Sequence, residues 1–87
     1  MKRVKYVPEY DHEPFSTYDL GCSAALVSLG YRLIKVSKKM ANKSLFLFDW
    51  SEKLVESAQQ YWCDELQVNA LAYFNALKNL KNRLHSS

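Results

Sequence analysis

The sequence predicts an α+β domain in which a two-stranded antiparallel hairpin packs against three helices, in the order arm-α-β-β-α-α. Two runs rich in β-branched and aromatic residues lie near the middle of the chain, and segments with helical spacing of apolar residues flank them. The length of 87 residues suits one domain. A lone two-stranded sheet is marginally stable, so the hairpin must lie against the helices. We assign residues 15–87 to this domain and residues 1–14 to a flexible or edge-strand arm.

The first helix is expected over residues 17–29. Ser16 has the place of an N-cap with Asp19 three residues later, and Phe15 is placed to pack on Leu20 across the cap. Gly30 suits the position after the helix, because glycine adopts positive φ at low cost.

The two strands are expected over residues 31–36 and 44–50, joined by the polar connection 37–43. Phe46, Phe48 and Trp50 share one face of the second strand, whereas Leu45 and Leu47 share the other. One apolar face covers the core, and the other needs cover from the arm, a helix or a second chain.

Two further helices complete the chain. Asp49 and Ser51 are rival N-caps for the second helix, which is expected to end near Trp62 or Asp64, and Asn69 caps a third helix that runs to about Leu84. The expected buried stripes are Leu54, Val55, Ala58, Tyr61 and Trp62 on the second helix, and Ala70, Tyr73, Phe74, Leu77, Leu80 and Leu84 on the third.

Enzyme signatures are absent from the sequence. With two glycines there is no phosphate-binding loop, and no CxxC pair or helical histidine pair suggests a metal site. We therefore expect no catalytic residue, metal, cofactor or small-molecule substrate. Two cysteines make no disulfide framework, and neither a secretory signal nor a membrane span is evident, so we expect a cytoplasmic protein.

The charge distribution is more informative than the formal net charge of +3. Five cations lie within twelve residues of the hairpin segment, and residues 20–48 contain no acid. Such a cluster predicts contacts with the phosphates of nucleic acid or of a nucleoprotein complex. The hairpin candidates are Arg32, Lys35, Lys38, Lys39 and Lys43, joined by Lys2, Arg3 and Lys5 in the arm and by Lys78, Lys81 and Arg83 near the C-terminus.

Two other interpretations remain open. The lysines would also solubilise a loop and protect a strand edge from pairing with another chain. Alternatively, the domain is a protein-interaction module, either a homodimer through the sheet edge or an inhibitor of a larger host complex. Its candidate contact residues are Leu45 and Leu47 on the strand and Glu52 and Glu56 on the acidic second helix.

Several short motifs resemble those of a small domain of unknown function associated with bacteria and phages, the family numbered 5659. They are residues 15–20, Ala24-Ala25, residues 29–31, residues 45–49, Tyr61-Trp62, residues 65–68 and residues 77–81. The resemblance covers about residues 15–84 and implies the α-β-β-α-α order. It carries no established activity or functional residue, and the phage association favours an accessory or inhibitory protein.

Overall fold

A computed structural model describes residues 13–40 and 43–85, apart from the side chains of Lys39 and Met40. The predicted α+β class is confirmed, with three helices and an antiparallel sheet. The elements are β1 (Phe15–Thr17), α1 (Leu20–Ser28), β2 (Leu33–Met40), β3 (Lys43–Phe48), α2 (Glu52–Trp62) and α3 (Ala70–His85). Most of the predicted arm, residues 1–12, lies outside the described residues. No helix within the described ranges is long and apolar enough to cross a membrane.

The sheet has three strands in the order β1-β3-β2, rather than the two that the sequence predicted. Ser16 pairs with Leu47 inside β1 and does not cap a helix. β1 supplies partners for backbone groups on the edge of β3, and the Phe15 ring meets Phe48 edge-on with centroids 6.5 Å apart. Strand pairing next to a large apolar ring therefore overrides the local capping signal.

The first helix begins three residues later than expected because Asp19 is its N-cap. Its carboxylate accepts a hydrogen bond of 2.9 Å from the backbone N–H of Cys22. The helix ends where expected, since Gly30 follows it with a φ of 99°.

α1 is the central helix of the domain. Five consecutive residues, Cys22 to Leu26, are at most 1% exposed, so this stretch is buried on every side. Phe46 and Phe48 from the sheet join the same core, together with Leu54 of α2 and Leu80 of α3.

The outer helices α2 and α3 bury one face each. Ser51 caps α2 by accepting from the Leu54 N–H at 3.0 Å, and Asn69 caps α3 by accepting from the Ala72 N–H at 2.8 Å. Of the rival caps, Asp49 instead pairs with Arg32.

Four residues that were expected on buried faces, three on the helices and one on the second strand, lie outside the core. Trp62 is 51% and Phe74 54% exposed, Ala70 is exposed as well, and Trp50 lies beyond the end of β3 and is half-buried. Trp62 stays at the surface, where its indole N–H donates to Asp19 at 2.9 Å, since a wholly buried indole would need an acceptor in the core. Phe74 projects outward because it stands roughly 120° around the helix from the buried Leu80, at about 100° per residue.

Candidate nucleic-acid interface

One contact joins the basic hairpin to the end of α3. The Lys38 ammonium donates a hydrogen bond of 3.0 Å to the backbone carbonyl of Leu84. The last carbonyls of a helix lack intrahelical partners and carry the negative end of the helix dipole, so they attract a cation. Lys81 and Arg83 lie within one helical turn of Leu84, and the two cationic segments are therefore adjacent.

The described lysines of the hairpin occupy an exposed surface. Lys35 is opposite Leu47 and Lys38 opposite Ser44 in the β2–β3 ladder. The Lys43 ammonium lies 5.2 Å from the centre of the half-exposed Tyr18 ring, which holds that cation near β1. We call Lys35, Lys38, Lys39 and Lys43 the basic tip, although the Lys39 side chain is not among those described.

Arg32 does not belong to the basic tip. It forms an exposed ion pair of 2.9 Å with Asp49, at the opposite end of β2 from the turn. Six residues separate it from Lys38, which is roughly 20 Å along a strand at about 3.3 Å per residue. Its charge is neutralised locally and contributes little at the tip, because that distance exceeds the Debye length of about 8 Å.

The remaining cationic candidates divide into two groups. Lys78 lies one helical turn before Lys81, and its ammonium is 5.3 Å from the centre of the Phe74 ring. The arm residues Lys2, Arg3 and Lys5 lie outside the described residues, so their relation to the basic tip stays a prediction.

Most of the chain matches a known protein family. Residues 12–86 match the model of the family described as Domain of unknown function (DUF5659). The chain belongs to that family. The resemblance seen in the sequence is thereby confirmed, whereas the association with bacteria and phages stays a prediction. No curated protein and no solved structure gives a significant match to the DUF5659 chain.

The predicted protein-binding residues of the DUF5659 domain lie on two separate surfaces. Leu45 and Leu47 alternate with the buried Phe46 and Phe48, so they face away from the core side of the sheet and keep part of their surface accessible. Glu52 and Glu56 are exposed on α2, whose Leu54 packs in the same core as Phe46. The fold therefore does not combine the four residues into one patch.

The structure also shows an apolar surface that the sequence reading missed. Leu71 is 67% exposed and Phe74 54%, and both lie on the outer side of α3. The signal was present in the spacing, because Leu71, Phe74 and Lys78 recur at intervals of three and four residues. Phe74 was instead assigned to the core with its neighbour Tyr73.

The cysteines of the domain have contrasting environments. Cys22 is fully buried, and this burial, with a smaller effect from nearby Asp19, raises the pKa of its thiol to about 12. It therefore stays protonated at neutral pH and is a poor nucleophile. Cys63 is exposed at the C-cap of α2. Within the described part of the chain, no group of three or more His, Cys, Asp or Glu residues is arranged to hold a metal.

Proposed function

We propose that the DUF5659 domain is a non-enzymatic accessory domain that binds nucleic acid, or a nucleoprotein complex, through the basic tip. The observation that carries this proposal is the hydrogen bond from Lys38 to the Leu84 carbonyl. It unites two segments, residues 33–48 and 70–85, neither of which contains an acidic residue. The exposed cations of the two segments therefore face the same region of solvent, and neither segment places an acidic residue among them.

The chemistry of the basic tip favours the phosphate backbone over base edges. Lysine ammonium groups are compact point charges on flexible stems, and they bind phosphates without reading the sequence. We therefore expect affinity that falls as salt rises and depends little on base sequence. The described part of the tip belongs to the antiparallel β2–β3 ribbon, and the major groove of DNA accommodates a two-stranded ribbon.

The proposal is tested by removing two described cations of the basic tip. In Lys38→Gln/Lys43→Gln, affinity for labelled single-stranded and duplex oligonucleotides should fall about tenfold or more at roughly 0.1 M salt, because two phosphate contacts are lost. The slope of log affinity against log salt should shrink by roughly 1.5. Fluorescence anisotropy measures both, and circular dichroism checks that the variant is folded.

The matched control is Arg32→Gln/Lys53→Gln, which also removes two positive charges. Arg32 is paired with Asp49, and Lys53 lies on α2 beside Glu52, so affinity should change by less than about twofold. Equal losses in the two variants would show that net charge alone matters. Wild-type protein that does not bind either oligonucleotide at about 50 mM salt would overturn the proposal.

A protein-interaction module, including an inhibitor of a larger complex, is the second candidate function. It is favoured by the exposed apolar surface of Leu71 and Phe74 and by the accessible parts of Leu45 and Leu47. Pairing through a sheet edge is less favoured. The edge strand β2 carries Lys35 and Lys38, which oppose strand addition, and the other edge strand, β1, has three residues. Elution of wild-type protein unretained from a heparin column, together with a stoichiometric protein complex, would favour this candidate.

A further inference from the structure

The outer side of α3 carries a stripe with two chemically distinct halves. Intervals of three and four residues place its members on one side of the helix, opposite the buried Ala76 and Leu80. The N-terminal half is apolar and exposed, and the C-terminal half is basic. We call this the α3 stripe: Leu71, Phe74, Lys78, Lys81 and His85.

The outer side of α2 carries a stripe of the same spacing and opposite charge. Its members are exposed and lie opposite the buried Leu54 and Ala58. Acids occupy its N-terminal half and uncharged residues its C-terminal half, where the half-exposed Trp62 adjoins them. We call this the α2 stripe: Glu52, Glu56, Gln59 and Cys63.

We propose that a second copy of the chain docks on these stripes, with α2 of each copy packed antiparallel to α3 of the other in a two-fold pair. The antiparallel direction sets Glu52 and Glu56 against Lys81 and Lys78 of the other copy. It also sets the Cys63 end of α2, with the indole of Trp62, against Leu71 and Phe74. The acidic half of each α2 stripe then faces the basic half of an α3 stripe, and the uncharged half of each α2 stripe faces the apolar half.

The occupant is a second copy because charge complementarity selects it. Two α3 stripes facing each other antiparallel would oppose lysine to lysine at Lys78. Two antiparallel α2 stripes would set their acids against the uncharged Gln59 and Cys63, so neither acid would meet a cation. In one chain, both helices pack on the central α1 and direct these stripes outward, so the match is made between copies. Lys53 lies about 100° around α2 from Glu52, at the border of the seam, and the two acids outnumber this single cation there.

The surface around the α2 stripe is shaped for such a contact. A shallow depression lies along α2, where Trp50 and Val55 supply apolar lining next to two acids, one lysine and one amide: Glu52, Glu56, Lys53 and Gln59. Lysine stems pack on apolar surface while their ammonium groups reach carboxylates. Lys78 and Lys81 of the other copy fit that description at the N-terminal end of α2.

Lys35, Lys38 and Lys43 lie outside both stripes, whereas the pair would use Lys78 and Lys81, which belong to the cationic segment beside the basic tip. The pair would cover the acids of α2 and leave one basic tip on each copy.

A charge exchange tests the pair in the absence of nucleic acid. Glu52→Lys/Glu56→Lys alone sets lysines against lysines, and Lys78→Glu/Lys81→Glu alone sets acids against acids. Each should raise the dimer dissociation constant at least about tenfold in sedimentation equilibrium, since four exposed pairs are reversed across the two contacts. An equimolar mixture of the two variants should regain wild-type association, because both contacts are complementary in the mixed pair.

The matched control is Lys35→Glu/Lys43→Glu, which changes the net charge as much at the basic tip and leaves in place Lys38, whose ammonium contacts the end of α3. Its dissociation constant should stay within about threefold of wild type at roughly 0.15 M salt, where distant charges are screened. Wild-type protein that stays monomeric at about 1 mM, a mixture that fails to associate, or an equal loss in the control would each overturn the proposal.

A disulfide trap tests the direction of the helices. Leu71→Cys should give an intermolecular disulfide with the resident Cys63 under mild oxidation, whereas Asn79→Cys, on the flank of α3, should not. Cys22 is buried and does not compete. Equal trapping at positions 71 and 79 would contradict the antiparallel seam, and Cys63→Ser should abolish the trapped species.

Discussion

α1 and α3 are both helices packed in one core, yet they place their side chains very differently. α1 has nine residues without a charged side chain, and five in succession are almost wholly buried. α3 has sixteen residues, of which only Ala76 and Leu80 are buried, and its outer side is exposed. This short chain therefore places most of one helix in the interior. We expect substitutions in α1 to change stability and those on the α3 stripe to change association.

The largest expected effect contrasts one leucine from each helix. Leu26 is 0% exposed and Leu71 67%, although both are helical leucines. Leu26→Ala should lower the free energy of unfolding by about 2–5 kcal/mol, because it removes buried methyl groups and leaves a cavity. Leu71→Ala should change it by less than about 0.5 kcal/mol. Urea unfolding at low protein concentration, where the chain is monomeric, measures both.

The order of the two variants should reverse when the effect on self-association, rather than on stability, is measured. Leu71→Ala should weaken the pair, whereas Leu26→Ala should do so only as far as it unfolds the monomer. A loss of more than about 1 kcal/mol of stability in Leu71→Ala would remove the contrast between the helices, since that side chain would then belong to the core.

A smaller effect concerns the contact between α1 and α2 at Gly21. A Cβ at this position would overlap the hydroxyl of Tyr61. Alanine favours a helix over glycine by about 1 kcal/mol, but overpacking costs about 1–3 kcal/mol. Gly21→Ala should therefore lower the free energy of unfolding by about 1 kcal/mol, measured by urea denaturation.

Tyr61→Phe provides the matched background for this substitution. Without the hydroxyl, the nearest ring carbon lies 3.3 Å from the new Cβ, a tight contact that a small shift relieves. Gly21→Ala should then be neutral or stabilising, and the double-mutant cycle should show a coupling of at least about 1 kcal/mol. If Gly21→Ala stabilised the otherwise wild-type protein, the overlap expected between the new Cβ and the Tyr61 hydroxyl would be contradicted.

Features set by local sequence were predictable in this chain. The cap at Asn69 and the positive φ of Gly30 follow from interactions within a few residues, and Ser51 was one of the two caps predicted for α2. The alternation of β3 equally gave its buried pair, Phe46 and Phe48.

Features set by distant partners were not predictable from local patterns. Ser16 reads as a helix cap, but its segment pairs with β3 some thirty residues away. The candidate nucleic-acid interface likewise depends on contacts between distant residues. Clustering along the chain predicted the basic hairpin, yet only the fold pairs Arg32 with Asp49 and brings Lys38 to the end of α3. Phe74 was misplaced because a helix with apolar residues on several sides has no unique buried stripe in its sequence.

An effect of similar size to that of Gly21→Ala contrasts the two cysteines through the pH dependence of stability. Burial raises the pKa of the Cys22 thiol from 9.0 to about 12, whereas the unfolded chain leaves that thiol near its ordinary value. Stability from the protonated thiol is complete below pH 9 and is lost as pH rises toward 12, because the unfolded state releases its proton first. Between pH 8 and 10 the loss should be about 1 kcal/mol.

Urea denaturation of Cys22→Ala and Cys63→Ala at both pH values separates this loss from other titrations. Cys22→Ala should reduce the pH dependence, while Cys63→Ala should keep it, since Cys63 is exposed. Tyr61 acts in the same direction at higher pH, because burial first and then its neighbours Tyr73 and Asp19 raise its pKa above 10.0. Equal pH dependence in all three proteins would mean that the interior around α1 admits the thiolate, and the contrast between an interior helix and an outer one would then fail at Cys22.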